Sequence, residues 1–107
     1  MRIIAKSRLD KYGKQHGPDA DSRLKAWYQE AKEASWRSPQ DILDRYKGAD
    51  VVGNETFIFD ICRNRYRLIV NVCFATQEVY IKFFGTHAEY DRFDVKGLSD
   101  EYRKNKK

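Results

Sequence analysis

Five side chains in the second half of the chain are of types that handle phosphodiesters: Arg65, Arg67, Lys82, His87 and Tyr90. Histidine, tyrosine and lysine move protons near neutral pH once their surroundings tune them, and arginine supplies fixed charge in a fork matched to phosphate oxygens. Such a set suits cleavage of RNA without metal, in which the ribose 2′-OH attacks the adjacent phosphorus and leaves a cyclic phosphate and a 5′-OH. That reaction needs a base for the 2′ proton, an acid for the leaving oxygen and cations for the phosphorane. His87, Tyr90 and Asp91 stand at i, i+3 and i+4, the spacing of neighbours on a helix. A quieter reading of the same residues has Arg67 paired with Asp60 across two strands and His87 capping or packing. Other catalytic schemes find less: there is no Gly-rich phosphate loop, no serine nucleophile motif and no histidine adjacent in sequence to Cys62 or Cys73.

Three strand-like runs must position this set: Thr56 to Cys62, Tyr66 to Phe74 and Val79 to Phe84. Each alternates with a period of two. One parity, including Phe57, Phe59, Ile61, Tyr66, Leu68, Val70, Val72, Val79, Ile81 and Phe83, is apolar. The other, including Asp60, Cys62, Arg65, Arg67, Lys82 and Phe84, is mixed and cationic. A two-residue turn at Arg63-Asn64 sets Asp60 opposite Arg67 and Cys62 opposite Arg65. A second two-residue turn at Thr76-Gln77 sets Asn71 opposite Lys82 and Arg67 opposite Thr86. Arg65 and Arg67 then lie close to Thr86–Tyr90, with Lys82 about 13 Å further along. Thr86 caps a short last helix through Phe93, with Glu89 three residues on completing a capping box.

The first half reads as helical. Arg2-Ile3-Ile4-Ala5 is a short strand added to the sheet, and Ser7 caps a helix through Gly13. Gly13, Gly17 and Pro18 mark a turn, which places His16 in a loop and in solvent. Asp19 or Asp21 opens the best helix, running to about Ser35. Its stripe of Ala20, Leu24, Trp27, Ala31 and Ala34 is spaced to cover the dry face of the sheet, and Trp27, Tyr28 and Trp36 read as core. Ser38-Pro39-Gln40-Asp41 starts a short helix that Gly48 ends, and Ala49 to Asn54 leads into the sheet.

The 107 residues support a single domain with a modest core, and a net charge of +5 favours an acidic partner, nucleic acid or acidic protein. The two cysteines are too far apart in this register to bridge, and no ligand cluster for a metal is present. No segment has the length of a membrane span and no signal-peptide core is evident, so a reduced, cytoplasmic protein is expected. From about residue 94 the chain is a basic tail, ending Arg103-Lys104-Asn105-Lys106-Lys107.

An ordered set of segments resembles the HigB toxin family: Phe59-Asp60-Ile61, Asn64-Arg65-Tyr66-Arg67-Leu68-Ile69, Val79-Tyr80-Ile81-Lys82 and Gly85-Thr86-His87-Ala88-Glu89-Tyr90-Asp91. Together they cover about a third of the chain, while the helical half is similar in layout rather than in residues. The resemblance implies an α+β fold of the RelE type, with N-terminal helices packed on one face of a small twisted, mainly antiparallel sheet and a short C-terminal helix. It further implies an mRNA endoribonuclease of a type II toxin-antitoxin pair that needs no cofactor and cuts messenger RNA on the translating ribosome. Its partner would be a HigA-like helix-turn-helix antitoxin, through which alone operator DNA would be bound. The family pattern carries Asn64, Arg67, Thr86, His87, Tyr90 and Asp91; taken with the residues read from the strands, Arg65, Arg67, Lys82, His87 and Tyr90 are the catalytic candidates, and Arg63, Asn64, Thr86 and Asp91 the RNA-binding ones. Relatives of this kind often carry Gly where Arg63 stands. The competing class is a RelE/ParE-fold binding module without catalysis, or a ParE-like poison of another enzyme.

Overall fold

The computed structural model describes residues 1–53, 55–63 and 65–92, with Asp91 and Arg92 described by backbone alone. Strand β1 (Arg2–Ile4) leads into helices α1 (Lys6–His16), α2 (Pro18–Glu33) and α3 (Pro39–Arg45). Strands β2 (Asp50–Val52), β3 (Thr56–Ile61), β4 (Tyr66–Cys73) and β5 (Glu78–Thr86) follow, then helix α4 (His87–Arg92). The expected basic tail and Phe93 lie outside the described residues. The five strands form one sheet in the order β1-β5-β4-β3-β2, with β1 parallel to β5 and every other pair antiparallel. This is the expected α+β architecture. No helix among the described residues is long and apolar enough to cross a membrane.

Local chemistry explains the helices. Pro18 occupies the first turn of α2, where its missing N–H costs nothing, and Asp19 and Asp21 place negative charge at the positive end of the helix dipole. The stripe Ala20, Leu24, Trp27 and Ala31 is buried, as its spacing requires. At α3 the hydroxyl of Ser38 makes no cap; the Asp41 carboxylate instead accepts the backbone N–H of Arg37 at 2.8 Å. The helix stops at Arg45, before Gly48.

Helix α1 departs from expectation at both ends. It starts at Lys6 and runs through Gly13 to His16, so His16 is helical rather than looped. Gly13 is a packing glycine, because a Cβ there would lie 3.0 Å from the Asp21 Cα where α1 and α2 cross. The real break is Gly17, whose φ of 102° admits the left-handed backbone that glycine tolerates.

The main core joins α1, α2 and α3 to one face of the sheet, through Phe57, Phe59 and Ile61 of β3, Tyr66, Leu68, Val70 and Val72 of β4, and Val79, Ile81 and Phe84 of β5. On the other face Ile58 and Ile69 are also buried, opposite each other in the β3–β4 pair. That face is therefore partly apolar. Strand β2, three residues beside Thr56–Ile58, was not foreseen as a strand. A Gly13→Ala variant is expected to lose about 1–3 kcal/mol of stability from overpacking at the α1–α2 crossing, read as a lower urea midpoint at unchanged slope.

Candidate active site

The β3–β4 hairpin has the register its short turn dictates. Asp60 faces Arg67, Ile58 faces Ile69 and Ile61 faces Tyr66. The Arg65 N–H donates to the Cys62 carbonyl at 3.2 Å and closes the turn. Cys62 and Arg63 both hold positive φ, 55° and 54°, a conformation that favours glycine and accounts for a Gly at the Arg63 position in a chain of this shape. Asn64 lies outside the described residues.

The tip of this hairpin turns toward the helices and separates two arginines that the alternating pattern put on one face. The Arg65 guanidinium lies 5.7 Å from the Tyr66 ring centre and 3.9 Å from the Asp19 carboxylate at the start of α2. The Cys62 thiol likewise points to the Asp19 carbonyl, at 3.6 Å. Arg63 and Cys62 border a groove of about 280 Å³ with Arg23, Trp27, Tyr46 and Phe59 on the helix side. Arg67 stays on the opposite face. The structure thus does not bring Arg63 and Arg65 together with Arg67.

Around Arg67 the geometry is close. Its guanidinium forms an ion pair with Asp60 across the strands, both side chains being mostly buried, and lies 5.7 Å from the centre of the Tyr90 ring. Tyr90 comes from α4, one turn after His87, which is exposed. The Asp91 side chain lies outside what the structure describes. Of the predicted set, then, Arg67 and Tyr90 meet directly, and His87 stands on the helix that supplies Tyr90.

The register of β5 differs from that read off the sequence. The turn is four residues long, Phe74–Gln77, with Cys73 opposite Glu78. Gln77 holds φ 59°, and its side-chain amide donates to the Phe74 and Trp36 carbonyls at 2.9 and 2.7 Å, which stabilises the longer loop. Further along, Val70 faces Ile81 while Ile69 faces Phe83, so Lys82 is an extra residue with no partner in the ladder. Beyond this bulge the parity reverses. Phe84 enters the core in place of Phe83, Gly85 faces Arg67, and Thr86 faces Tyr66. The expected pairing of Arg67 with Thr86 is thereby corrected by one position. The Lys82 ammonium lies 5.9 Å from the Tyr80 ring, back along the strand.

The start of α4 is capped as its sequence requires. The Thr86 N–H donates to Glu89 Oε1 at 2.9 Å, and the Glu89 N–H donates to Thr86 Oγ1 at 3.2 Å. The Thr86 N–H, reinforced by His16, holds the Glu89 carboxyl below the usual glutamate value. The stability this adds is present above the ordinary glutamate pKa and is lost as pH falls through the lowered one. Gly85 lets the helix fold back so closely: a Cβ there would lie 2.7 Å from the Phe83 ring and 3.0 Å from the Glu89 Cβ.

His16 was missed by the sequence reading. It sits with its side chain largely buried, Nδ1 2.8 Å from the Tyr12 carbonyl and Nε2 3.2 Å from Glu89 Oε1. The signal that reveals it is its spacing of four from Tyr12 and eight from Arg8, one stripe of α1. Among the described residues no group of three or more His, Cys, Asp or Glu side chains is arranged to hold a metal ion.

A family model for the RelE-like toxic component of a toxin-antitoxin system matches residues 20–93, well over half the chain. The chain belongs to the HigB toxin family. As a HigB toxin it is one member of a pair whose other member is an antitoxin. The match takes in Asp60, Arg67, Lys82, His87 and Tyr90, and leaves β1 and α1 outside it. No curated protein matches the chain.

The half-buried Asp60–Arg67 pair makes a direct test of this HigB site. Asp60→Ala removes the carboxylate that pairs with the Arg67 guanidinium and is expected to cost about 1–3 kcal/mol, more than Asp60→Ala adds in an Arg67→Ala background. Urea unfolding of the four proteins in the cycle measures the coupling.

Proposed function

We propose that this HigB chain is an endoribonuclease that cuts messenger RNA on the translating ribosome, stops translation and is neutralised by a HigA-like helix-turn-helix antitoxin. The observation that supports this best is the approach of the Arg67 guanidinium to the Tyr90 ring, 5.7 Å from its centre, at the junction of β4, β5 and α4. In this reading Arg67 is the cation for the phosphorane. Asp60 orients its fork across the strands, and the fork suits phosphate oxygens. A base removes the 2′-OH proton, the P–O2′ bond forms, the P–O5′ bond breaks, and an acid returns a proton to O5′. His87 and Tyr90 are the proton carriers, or Tyr90 stacks on a base beside Arg67. Lys82, re-aimed by the bulge, contacts a phosphate further along the strand.

Thr86 serves by capping α4. Arg65 and Arg63, on the other side of the hairpin tip, contact RNA only where the strand passes over that tip, and Asn64 and Asp91 complete the proposed RNA-binding set. Operator DNA is reached only through the antitoxin complex. Expression of the wild type is expected to arrest growth with cleaved reporter mRNA. Arg67→Ala and His87→Ala are each expected to slow cleavage by about a hundredfold or more and to restore growth. Full toxicity in both variants overturns the assignment. Growth arrest with intact mRNA and damaged DNA supports instead the ParE-like poison.

A further inference from the structure

Helix α1 touches the proposed site's supports at three points, and all three contacts come from one stripe. Arg8, Tyr12 and His16 recur every four residues and so lie in line along the helix. The Arg8 guanidinium reaches the Lys82 carbonyl at 3.5 Å, at the bulge of β5, and the Tyr12 hydroxyl at 3.4 Å. The Tyr12 ring packs against Phe84, with centres 6.0 Å apart. His16 packs edge-on against both Phe84 and Tyr66, at 5.0 and 5.6 Å, and the Tyr66 hydroxyl donates to the His16 carbonyl at 3.4 Å. Its Nε2 meets Glu89 Oε1, the same oxygen that accepts the Thr86 N–H.

We propose that this stripe is a brace that positions the HigB site, and that His16, acting through Glu89, is a positioning residue for His87 and Tyr90. The proposal rests on the functional reading above.

Two features argue that the contact is more than filling of space. First, both ring nitrogens face oxygens that only accept hydrogen bonds, the Tyr12 carbonyl and the Glu89 carboxylate, so the neutral ring donates to one of them and the imidazolium to both. An apolar ring would fill the same aromatic slot with no such bond, and a directional bond fixes an angle as well as a distance. Second, the first turn of α4 is held at one point, where Glu89 Oε1 takes the Thr86 N–H and faces His16 Nε2, so the setting of that turn depends on this contact. The tie made by Glu89 lies between His87 and Tyr90 in sequence. Any swing of that turn moves both side chains relative to Arg67, and misplacement of about 1 Å at a reacting centre costs up to roughly a hundredfold in rate. Arg8, Tyr12 and His16 lie before the matched residues 20–93, while Glu89, Phe84 and Tyr66 lie within them.

Three substitutions separate bracing from packing. His16→Phe keeps a ring and removes both nitrogens, His16→Gln keeps a donor able to reach Glu89, and Glu89→Ala removes the acceptor. Amide hydrogen exchange and single-turnover cleavage of ribosome-bound mRNA are measured on each full-length protein. In His16→Phe the α4 amides are expected to exchange about tenfold faster, while β3 and β4 amides keep their wild-type rates. The cleavage rate at saturation is expected to fall about tenfold or more, with the half-saturating concentration changed by less than about twofold. His16→Gln recovers most of both losses. The double variant His16→Phe/Glu89→Ala is no slower than Glu89→Ala alone, because both act through one contact. Wild-type exchange in α4 of His16→Phe overturns the brace. Normal cleavage by that variant, beside an active wild type, overturns its role in the reaction. A wild type that cleaves no RNA defeats the functional reading on its own, and the exchange data then decide the brace alone.

Discussion

One extra residue in β5 controls where everything beyond it falls. Without a bulge at Lys82, the alternation that buries Val79 and Ile81 would continue to Phe83, and Phe84 would face away from the helices. With it, Phe84 enters the core between Tyr12, His16 and Tyr66. The next two residues then take up the positions that α4 requires. Gly85, opposite Arg67, provides the space for the helix to fold back, and Thr86 caps it. Bulges commonly re-aim a strand where a site is built, and the aromatic contacts that follow this one make the shifted register the stable one.

The half-buried Arg67 illustrates how the fold and the site share a constraint. Its charge sits in the central part of the sheet, between β3 and β5, where it needs compensation, and Asp60 supplies that directly across the ladder. The Tyr90 ring centre lies 5.7 Å from the guanidinium. An ion pair of this kind contributes modestly to stability but holds the fork in one orientation, which is what recognition of a phosphate requires. The pairing of Arg67 with Asp60 is therefore compatible with the catalytic role proposed for it.

Much of this arrangement was legible in the sequence, and the failures have identifiable causes. The β3–β4 register followed from one short turn and complementary charges at Asp60 and Arg67. The capping box Thr86/Glu89 and the buried stripe of α2 followed from local chemistry alone. The β4–β5 register did not, because its turn is held by a long-range bond from Gln77 to Trp36 and because nothing in the run Ile81-Lys82-Phe83-Phe84 announces a bulge. Arg65 was misplaced because alternation was carried into a turn whose residues adopt positive φ. His16 was placed in a loop because Gly13 read as punctuation, whereas its small size serves the crossing of two helices. Strand β2 is three residues long and has no periodicity to detect.

Membership of the HigB family establishes a toxin, and the central claim is the chemistry assigned to the junction of β4, β5 and α4. The ends of the cut RNA report that chemistry directly. Purified protein is incubated with ribosomes translating a defined message, and the termini at the cut are identified by mass spectrometry. Attack by the 2′-OH with proton transfer at both oxygens predicts a 2′,3′-cyclic phosphate, or its opened 2′- or 3′-phosphate, upstream and a 5′-hydroxyl downstream. A 3′-hydroxyl paired with a 5′-phosphate, or an uncut message on arrested ribosomes, would contradict it.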